Sequence, residues 1–333
     1  MTKRRTLEVR VEHFPYAQPF RITGHVFTET AVVVAEISQG ADRGRGEAAG
    51  AYYLKDDVAA MTGAIERARE AIEAGADRSA LQKLLPPCGG RNALDCALWD
   101  LEAQQSGRPV WQLAGLPEPK PLRTTLTIGA DEPGRMADAA AALADATTLK
   151  LKLTGEAALD AARVEAVRAA RPDCWIGVDA NQGYSAGALP ALFATLERHG
   201  VALLEQPLAR GAEAGLDGIE RAIPVAADES ALSLAETDAL VGRFDMVNIK
   251  LDKCGGLTEG IAIARRAREL GLDVMVGNMM GSSLAMAPSY LLGQLCKVVD
   301  LDGPTFLARD RDPGVRYQAG NIHCPSQIWG FPR

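Results

Sequence analysis

The sequence predicts an α/β fold in which a small α+β unit precedes a parallel βα barrel, and three observations carry this prediction. Eight short apolar runs of β-type residues follow one another at a step of about 25 residues between positions 124 and 302. Most of the gaps between them hold an Ala-, Leu-, Arg- and Glu-rich stretch with helical periodicity. The first hundred residues have a different order, with strands first and helices afterwards. Eight alternations of strand and helix predict a closed barrel, whereas three or four leave an open sheet.

The first unit is expected to cover residues 1–118, and Pro117, Pro119 and Pro121 mark its end. Alternating apolar and polar residues predict its strands, and apolar residues at helical spacing predict its helices. The expected elements are strands over 6–13 and 30–37, a glycine-rich closing segment over 44–51, and helices over 57–74 and 91–105.

The barrel is expected to cover residues 119–303, with strands that are nearly continuous apolar runs because helices cover parallel strands on the outside. The predicted strands cover 124–128, 148–153, 175–180, 201–206, 224–228, 246–251, 273–277 and 298–302. The helices expected between them include 156–170, 187–199 and 256–270. The tail, 304–333, lacks a clear helix, and we expect it to return to the first domain.

Composition and charge limit the classes of molecule that the protein is expected to bind. The chain has 333 residues, 47% of them hydrophobic and 24% charged, which is the balance of a globular protein. Its net charge of −7 disfavours nucleic acid, because an acidic surface repels phosphates. No apolar run is long enough to span a membrane. The six cysteines form no CxxC pair and are expected to be buried thiols in a cytoplasmic protein.

Charged residues end several of the predicted strands, where catalytic groups of such barrels lie. Asp179, Glu205 and Asp228 end three successive strands and therefore come side by side. For any one of them a salt bridge to a neighbouring lysine is an ordinary alternative. Three adjacent carboxylates repel one another, and a hard divalent cation neutralises them. Ligands that are all oxygen favour Mg²⁺, with Mn²⁺ as a substitute, over zinc.

Lysines flank these acids on both sides. Lys150 and Lys152 are two residues apart on the second strand and share a face, while Lys250 ends the sixth strand, opposite the second in a ring of eight. Adjacent ammonium groups are expected to lower the pKa of a lysine base. Lys253 is expected to be a surface lysine instead.

A metal and paired lysines together suit one kind of chemistry. Removal of the α-proton of a carboxylate gives a doubly charged enediolate, which a divalent cation stabilises. A lysine on each face of the substrate can take a proton from one face and return one to the other.

Short motifs extend over nearly the whole predicted barrel in a consistent order. They read KLK at 150–152, DAN at 179–181, EQP at 205–207, ADES at 227–230 and NIKLDKCGG at 248–256, with RNALDCALWDL at 91–101 before them. With these motifs the sequence resembles the enolase superfamily, in its muconate-lactonizing subgroup. The resemblance implies an α/β fold, a (β/α)₇β TIM-like barrel with an N-terminal α+β capping domain. It implies Lys152 and Lys250 as acid/base groups, Lys150 as a carboxylate contact, and Asp179, Glu205 and Asp228 as metal ligands.

The eighth predicted strand carries the motif DLDGP, in which Asp300 and Asp302 share a face and form a receptor for an ammonium group. The alternative is an Asp–Lys pair that closes the barrel. Dipeptide epimerases of the subgroup are similar here, which implies that Thr125, Asn278 and Met280 also line a dipeptide. We therefore expect an Mg²⁺-dependent dipeptide epimerase that acts by 1,1-proton transfer through an enediolate.

One departure from the subgroup's pattern bears on the substrate. Epimerases that act on L-Ala-D/L-Glu resemble one another in an arginine after the first strand, where this chain has Gly24, with Arg21 three residues earlier. Tyr52 and Tyr53 in the second specificity loop offer aromatic contacts. Without that arginine, we expect a non-acidic C-terminal residue in the dipeptide. His25 is expected to lie on the surface.

Other functions stay open at this point. An N-acylamino acid racemase, an o-succinylbenzoate synthase or a cycloisomerase of the same subgroup would keep the metal and the lysines but would leave the Asp300 and Asp302 carboxylates without an amine. A silent binding protein on this scaffold would predict degraded lysines or ligands, and none is degraded. The sequence leaves open whether the chain forms a homo-oligomer.

Overall fold

A computed structural model describes residues 4–22 and 25–332, without the side chains of 20–22 and 25. The chain begins with an antiparallel sheet in the order β1-β2-β3, and helices follow it. The sheet consists of β1 (Arg5–Ile22), β2 (His25–Gln39) and β3 (Asp42–Ala48). The helices are α1 (Val58–Glu73), α2 (Arg78–Leu84), α3 (Gly89–Ser106) and α4 (Val110–Leu113).

Local chemistry explains where these elements begin and how they pack. The carboxylates of Asp57 and Asp77 accept hydrogen bonds from backbone amides at the starts of α1 and α2, as N-caps do. Helix α3 lies directly on β3, since a Cβ at Gly44 or Gly46 would come within 2.0 or 2.1 Å of a carbonyl oxygen of α3. The glycine-rich segment predicted to close the sheet is therefore a strand that lets α3 approach its backbone.

Eight parallel strands form the second sheet, in an order that follows the chain from β5 to β12. They are β5 (Leu126–Ile128), β6 (Thr148–Lys152), β7 (Trp175–Asp179), β8 (Leu203–Glu205), β9 (Val225–Ala227), β10 (Met246–Ile249), β11 (Asp273–Val276) and β12 (Val298–Val299), and a short strand β4 (Leu122–Arg123) precedes them. The Thr125 amide donates to the Val299 carbonyl over 2.9 Å, which joins the first strand of the sheet to the last. The predicted barrel and its eight strands are confirmed.

The segments between the strands are less regular than the sequence suggests. The helices are α5 (Pro133–Ala142), α6 (Ala157–Ala170), α7 (Leu189–Arg198), α8 (Leu251–Cys254), α9 (Leu257–Glu269) and α10 (Ser283–Gly293). After β8 and β9 the chain forms 3₁₀ turns at Glu213–Leu216 and Leu234–Leu240 in place of full α-helices. None of the helices in the described ranges is both long and apolar enough to cross a membrane.

The C-terminal segment contacts both the start of the barrel and the first domain. Its hairpin of β13 (Arg316–Gln318) and β14 (Asn321–His323) pairs with β4. The Ala308 amide donates to the Pro15 carbonyl, and the Trp329 indole donates to the Arg45 carbonyl, each over 2.8 Å. The division of the chain into 1–118, 119–303 and 304–333 stays a prediction.

Candidate active site

A cavity of about 300 Å³ lies where the first domain covers the carboxyl ends of the barrel strands. The first domain contributes residues from β1, β2 and the loop that follows β3: Tyr16, Phe27, Glu29, Thr30, Ala31, Ala49, Gly50, Tyr52, Tyr53, Asp56, Asp57 and Val58. The barrel contributes Thr127, Lys150, Lys152, Asn181, Asp228, Glu229, Lys250, Asn278, Met279, Met280, Asp300 and Asp302. Of these 24 residues, 14 are polar or charged even without the three tyrosines, and most of the 14 come from the barrel.

The strand register brings the three predicted acids together. Asp179 pairs with Lys152 across β6 and β7 and with Glu205 across β7 and β8. Asp228, directly after β9, is the third acid. All three carboxylates are buried, and one oxygen from each lies within 4.8 Å of the other two. Such a set of three oxygens could hold a hard divalent cation.

The electrostatics of the acids fit a cation. Burial and the neighbouring charge of Asp179 raise the pKa of Glu205 above its ordinary value. Burial alone would also raise the pKa of Asp179 and of Asp228, but nearby lysines lower both pKa values below the ordinary range. The raised pKa of Glu205 means that the lysines do not fully stabilise its charged form, and a divalent cation bound to the three oxygens would stabilise it.

The three predicted lysines reach these acids from strand β6 and from the residue that follows β10. The ammonium group of Lys152 lies 2.6 Å from Asp179 Oδ2, and that of Lys250 lies 2.6 Å from Asp228 Oδ2. Lys150, one layer deeper, lies 2.7 Å from Glu205 Oε2. The predicted set of acids and lysines is therefore one contiguous cluster.

The expected lowering of lysine pKa values is not what the structure shows. Burial alone would lower the pKa of Lys150, but the charges of Asp300, Glu205 and Asp179 raise it well above its ordinary value. Burial and Asp228 oppose each other in the same way at Lys250, whose pKa is also raised. The reason is that carboxylate oxygens lie within 3.2 Å of both ammonium groups.

The expectation that Lys253 is a surface lysine is wrong, because its side chain is buried. Its ammonium group donates to Asp228 Oδ1 at 2.5 Å, to the Asp228 carbonyl at 2.6 Å and to the Asn248 carbonyl at 2.9 Å. Its place in the 248–256 motif, three residues after Lys250 on the short helix α8, is the signal that could have revealed this role.

The two acids of the DLDGP motif have different surroundings. Asp300 accepts from the Lys150 ammonium at 2.9 Å and from Thr125 Oγ1 at 2.5 Å. Asp302 accepts from the Thr127 amide at 2.6 Å, and burial together with the charge of Asp300 raises its pKa to about 7. Asp300 thus has a lysine partner, as the Asp–Lys alternative describes, and yet it lines the cavity together with Asp302. The ammonium receptor formed by the two acids stays a prediction, with Asp302 as the member that makes no ion pair within the described part of the chain.

The remaining residues predicted to contact the substrate lie either at the cavity wall or below it. Thr125 borders a small internal void below the cavity, together with Lys150, whereas Thr127 reaches the cavity wall. Asn278 lines the cavity and donates to the Asp300 carbonyl at 2.6 Å. Met280 lines it too and packs on an apolar cluster that includes Tyr16.

Polar atoms without assigned roles also lie at this cavity. Asn181 Oδ1, Glu229 Oε2 and the Tyr53 hydroxyl are buried and have no hydrogen-bond partner within the part of the chain that the structure describes. Burial and the charge of Asp228 raise the pKa of Glu229 to about 7. The DAN and ADES motifs contain two of these residues, but the motifs alone do not say which of their side chains stay unpaired.

The specificity loops are described in part. Gly24 lies outside the described residues, and so do the side chains of Arg21 and His25. Tyr52 and Tyr53 both line the cavity, with their ring centroids 5.2 Å apart. The Tyr52 ring also meets the Phe27 ring edge to face at 5.5 Å. This wall is therefore aromatic, as the sequence predicts.

Family models and individual proteins that are similar to this chain point to the same superfamily. Residues 4–115 match the mandelate racemase/muconate lactonizing enzyme N-terminal domain, and residues 135–327 match the enolase C-terminal domain-like family. The L-Ala-D/L-Glu epimerase of Escherichia coli (strain K12) is 39% identical over 321 residues, covering 96% of this chain and 99% of that protein.

Two solved structures are similar over nearly all of the chain. One is an enolase family member from Agrobacterium tumefaciens with homology to dipeptide epimerases and with bound sodium and L-Ala-L-Glu, which has a TM-score of 0.93, 38% identity and coverage of 98% of this chain and 100% of that one. The other is a dipeptide epimerase from Methylococcus capsulatus complexed with Mg and L-Arg-D-Lys, with a TM-score of 0.89, 31% identity and 98% coverage of both chains. The chain belongs to the mandelate racemase/muconate lactonizing enzyme family of the enolase superfamily.

Proposed function

We propose that the protein is a dipeptide epimerase that inverts the α-carbon of the C-terminal residue by 1,1-proton transfer. One observation carries this proposal. Lys152 ends β6 and Lys250 follows β10, and these strands lie opposite each other in the ring, with the carboxylate-bearing strands β7, β8 and β9 between them. A substrate held at the carboxylates would have one ammonium or amine group on each face.

Asp179, Glu205 and Asp228 would hold Mg²⁺, for which Mn²⁺ could substitute. When bound, the cation would stabilise negative charge on the substrate carboxylate while the α-proton is absent. The buried set of oxygens and the raised pKa of Glu205 support this role. The magnesium bound to the M. capsulatus epimerase supports it as well.

The lysines would move the proton. One of Lys152 and Lys250 removes the α-proton from its face, and the other delivers a proton from the opposite face, so that the configuration inverts. Asp228, which raises the pKa of Lys250, would share its charge with a cation, and this weakens its hold on the ammonium proton. Lys150, between Glu205 and Asp300, stays charged and contacts the substrate carboxylate.

The other end of the dipeptide would lie at β12. Asp302, which lines the cavity, would accept the free α-ammonium group of the substrate. Asn278 and Met280 would line the peptide, while Thr125 would act through its hydrogen bond to Asp300.

We further propose that the C-terminal residue of the preferred dipeptide is non-acidic. Among the residues with which the first domain lines the cavity are the aromatic Phe27 and Tyr52 and the acidic Glu29, Asp56 and Asp57. An acidic substrate side chain would meet repulsion from these carboxyl groups. The relatives differ on this point, since one solved complex contains L-Ala-L-Glu and another contains L-Arg-D-Lys.

We also propose that the protein acts in the cytoplasm. All six cysteines are free thiols, and a reducing compartment keeps thiols in that state.

The experiment is incubation of the purified protein with Mg²⁺ and single dipeptides, followed by hydrolysis and chiral chromatography. L-Ala-L-Phe and L-Ala-L-Leu test an apolar side chain, L-Ala-L-Lys a basic one and L-Ala-L-Glu an acidic one. N-acetyl-L-phenylalanine serves as the control without an ammonium group. We expect D-residues only at the C-terminal position of free dipeptides and only with the cation. Racemisation of the acetylated amino acid in preference to dipeptides would contradict the proposal and favour an N-acylamino acid racemase.

A further inference from the structure

Asp252 joins the barrel to the loop of the first domain that covers the cavity. It lies two residues after Lys250, in the short helix α8, and it is buried. Its Oδ1 accepts hydrogen bonds from the Ala49 amide at 2.9 Å and from the Gly50 amide at 3.0 Å. The Asn92 side chain of helix α3 bonds to the same carboxylate. One side chain of the barrel thus meets two separate segments of the first domain.

The loop that Asp252 holds closes on itself. The Leu54 amide donates to the Ala51 carbonyl at 2.9 Å, and the Lys55 amide donates to the Tyr52 carbonyl at 3.1 Å. Gly50 has a φ of 71°, and a Cβ there would lie 1.9 Å from the Asp56 carbonyl oxygen, so the base of the loop is tightly folded. The two amides bonded to Asp252 lie at this base.

The loop and the end of β10 face the same part of the cavity. Tyr52 and Tyr53 line it from the loop, and Lys250 lines it from the barrel. Lys250 is held separately by its contact with Asp228. A change at Asp252 would therefore move the tyrosine wall relative to Lys250 without removing the partner of the lysine.

We propose that Asp252 is a positioning residue that fixes the loop carrying Tyr52 and Tyr53 against the strand end carrying Lys250, and so sets how tightly the site holds the substrate side chain. The effect on substrate rests on the proposed epimerase function, whereas the effect on the loop does not. Without the carboxylate, the amides of Ala49 and Gly50 lose their acceptor, and the loop must shift until water reaches them.

Asp95 offers a matched control in the same joint between the domains. It is as deeply buried as Asp252, and it too accepts from a backbone amide, that of Thr258 at 2.9 Å. It also bonds to the Thr258 side chain and accepts from Gln82 Nε2 at 3.1 Å. Loss of Asp95 therefore weakens the joint at α9 and leaves the bonds to Ala49 and Gly50 in place.

The test combines steady-state kinetics with amide hydrogen exchange for Asp252→Ala, Asp252→Asn and Asp95→Ala. For Asp252→Ala we expect KM for the best dipeptide to rise about 10-fold or more while kcat changes less than about 3-fold. We expect exchange at 49–56 to accelerate by about 100-fold, with no such change at the strands of the barrel. Asp252→Asn keeps an oxygen acceptor and should restore most of the protection and most of the affinity. Asp95→Ala should lower the melting temperature and leave KM and exchange at 49–56 unchanged.

Equal effects of Asp252→Ala and Asp95→Ala on KM and on exchange at 49–56 would overturn the proposal, because both acids would then be merely structural. If the alanine variant does not fold, Asp252→Glu takes its place, since the longer side chain keeps the acceptor but displaces the loop; an unchanged KM would overturn the proposal. If the wild-type protein epimerises no dipeptide, the proposed function fails, and exchange at 49–56 alone decides whether Asp252 positions the loop.

Discussion

Lys253 places its ammonium group 2.5 Å from Oδ1 of Asp228, at a point that solvent does not reach. Lys250 takes the other oxygen, Oδ2, at 2.6 Å. Lys253 is further bound by two backbone carbonyls, whereas Lys250 lines the cavity. The Asp228 carboxylate therefore has Lys253 on its buried side and Lys250 on the side of the cavity. We infer that Lys253 orients Asp228, whereas Lys250 is the lysine that would exchange a proton with substrate in the proposed epimerase.

Replacing Lys253 by methionine leaves a buried carboxylate with one partner fewer. We expect Lys253→Met to lower the free energy of unfolding by about 3–5 kcal/mol in the absence of divalent cations. Added Mg²⁺ should recover more stability in the variant than in the wild type, as measured by thermal unfolding. The exposed ion pair of Lys297 with Asp273 gives the control, because Lys297→Met should cost less than about 1 kcal/mol. A variant as stable as the control would contradict the buried role of Lys253.

The two-sided arrangement of Lys152 and Lys250 predicts that each lysine serves one epimer. Lys152→Ala and Lys250→Ala should each lower the rate of epimerisation by about 10³-fold or more. In D₂O each variant should still exchange the α-proton of one epimer, because the remaining lysine can remove and return a proton on its own face. NMR of each pure epimer measures this exchange. Epimerisation at the wild-type rate by either variant would exclude that lysine from the proton transfer.

The metal site makes a prediction that calorimetry can check. Asp179→Asn removes a carboxylate that lies between Lys152 and Glu205, and we expect Mg²⁺ binding to weaken by about 10-fold or more. Asp217→Asn, in an exposed ion pair with Arg243, should bind Mg²⁺ like the wild type. Unchanged affinity in the Asp179 variant would remove that residue from the ligand set.

Asp302 and Asp300 should differ when each is changed to asparagine. Asp302→Asn removes the carboxylate that is left for the substrate ammonium group, and KM for a free dipeptide should rise by about 10²-fold. Asp300→Asn removes a partner of Lys150 instead, so its main effect should be on thermal stability. The two variants are compared by KM and melting temperature. A larger rise of KM in the Asp300 variant would reverse the assignment.

The raised pKa of Asp95 predicts that the stability of the folded protein depends on pH. Burial raises its pKa from 3.8 to about 6, so the folded protein holds this proton more tightly than the unfolded chain does. The contribution of Asp95 to stability is therefore greatest below pH 4, declines as the pH rises to about 6, and is constant above that, with a total loss of at most about 3 kcal/mol. Asp95→Asn should remove this decline, since an amide can still accept from Thr258 and can donate to the unpaired Gln82 Oε1. Urea unfolding between pH 4 and 8 measures the difference, and parallel stability curves for wild type and variant would contradict it.

The barrel and the three acids follow from the sequence because both depend on periodicity along the chain. A repeat of strand and helix fixes which residues end strands, and adjacent strand ends must meet, as Asp179 and Glu205 do. The pKa of Lys150 could not be predicted in this way, because its partner Asp300 is 150 residues away and follows the last strand, which comes close to β6 only when the barrel closes. The burial of Lys253 depends on the four-residue helix α8, which strand patterns do not reveal. Two partners of Asp252 are backbone amides, and a pattern of side chains along the sequence does not predict bonds to the backbone.

The central claim is proton transfer at the C-terminal α-carbon of a dipeptide, and solvent deuterium tests it most directly. The measurement is mass spectrometry of a mixed L,L-dipeptide library incubated with the protein and Mg²⁺ in D₂O. We predict a gain of one deuterium, located at the C-terminal residue, strongest for non-acidic side chains and abolished by a chelator. Exchange restricted to peptides that end in glutamate would contradict the predicted side-chain preference, and no exchange in any dipeptide would contradict the epimerase itself.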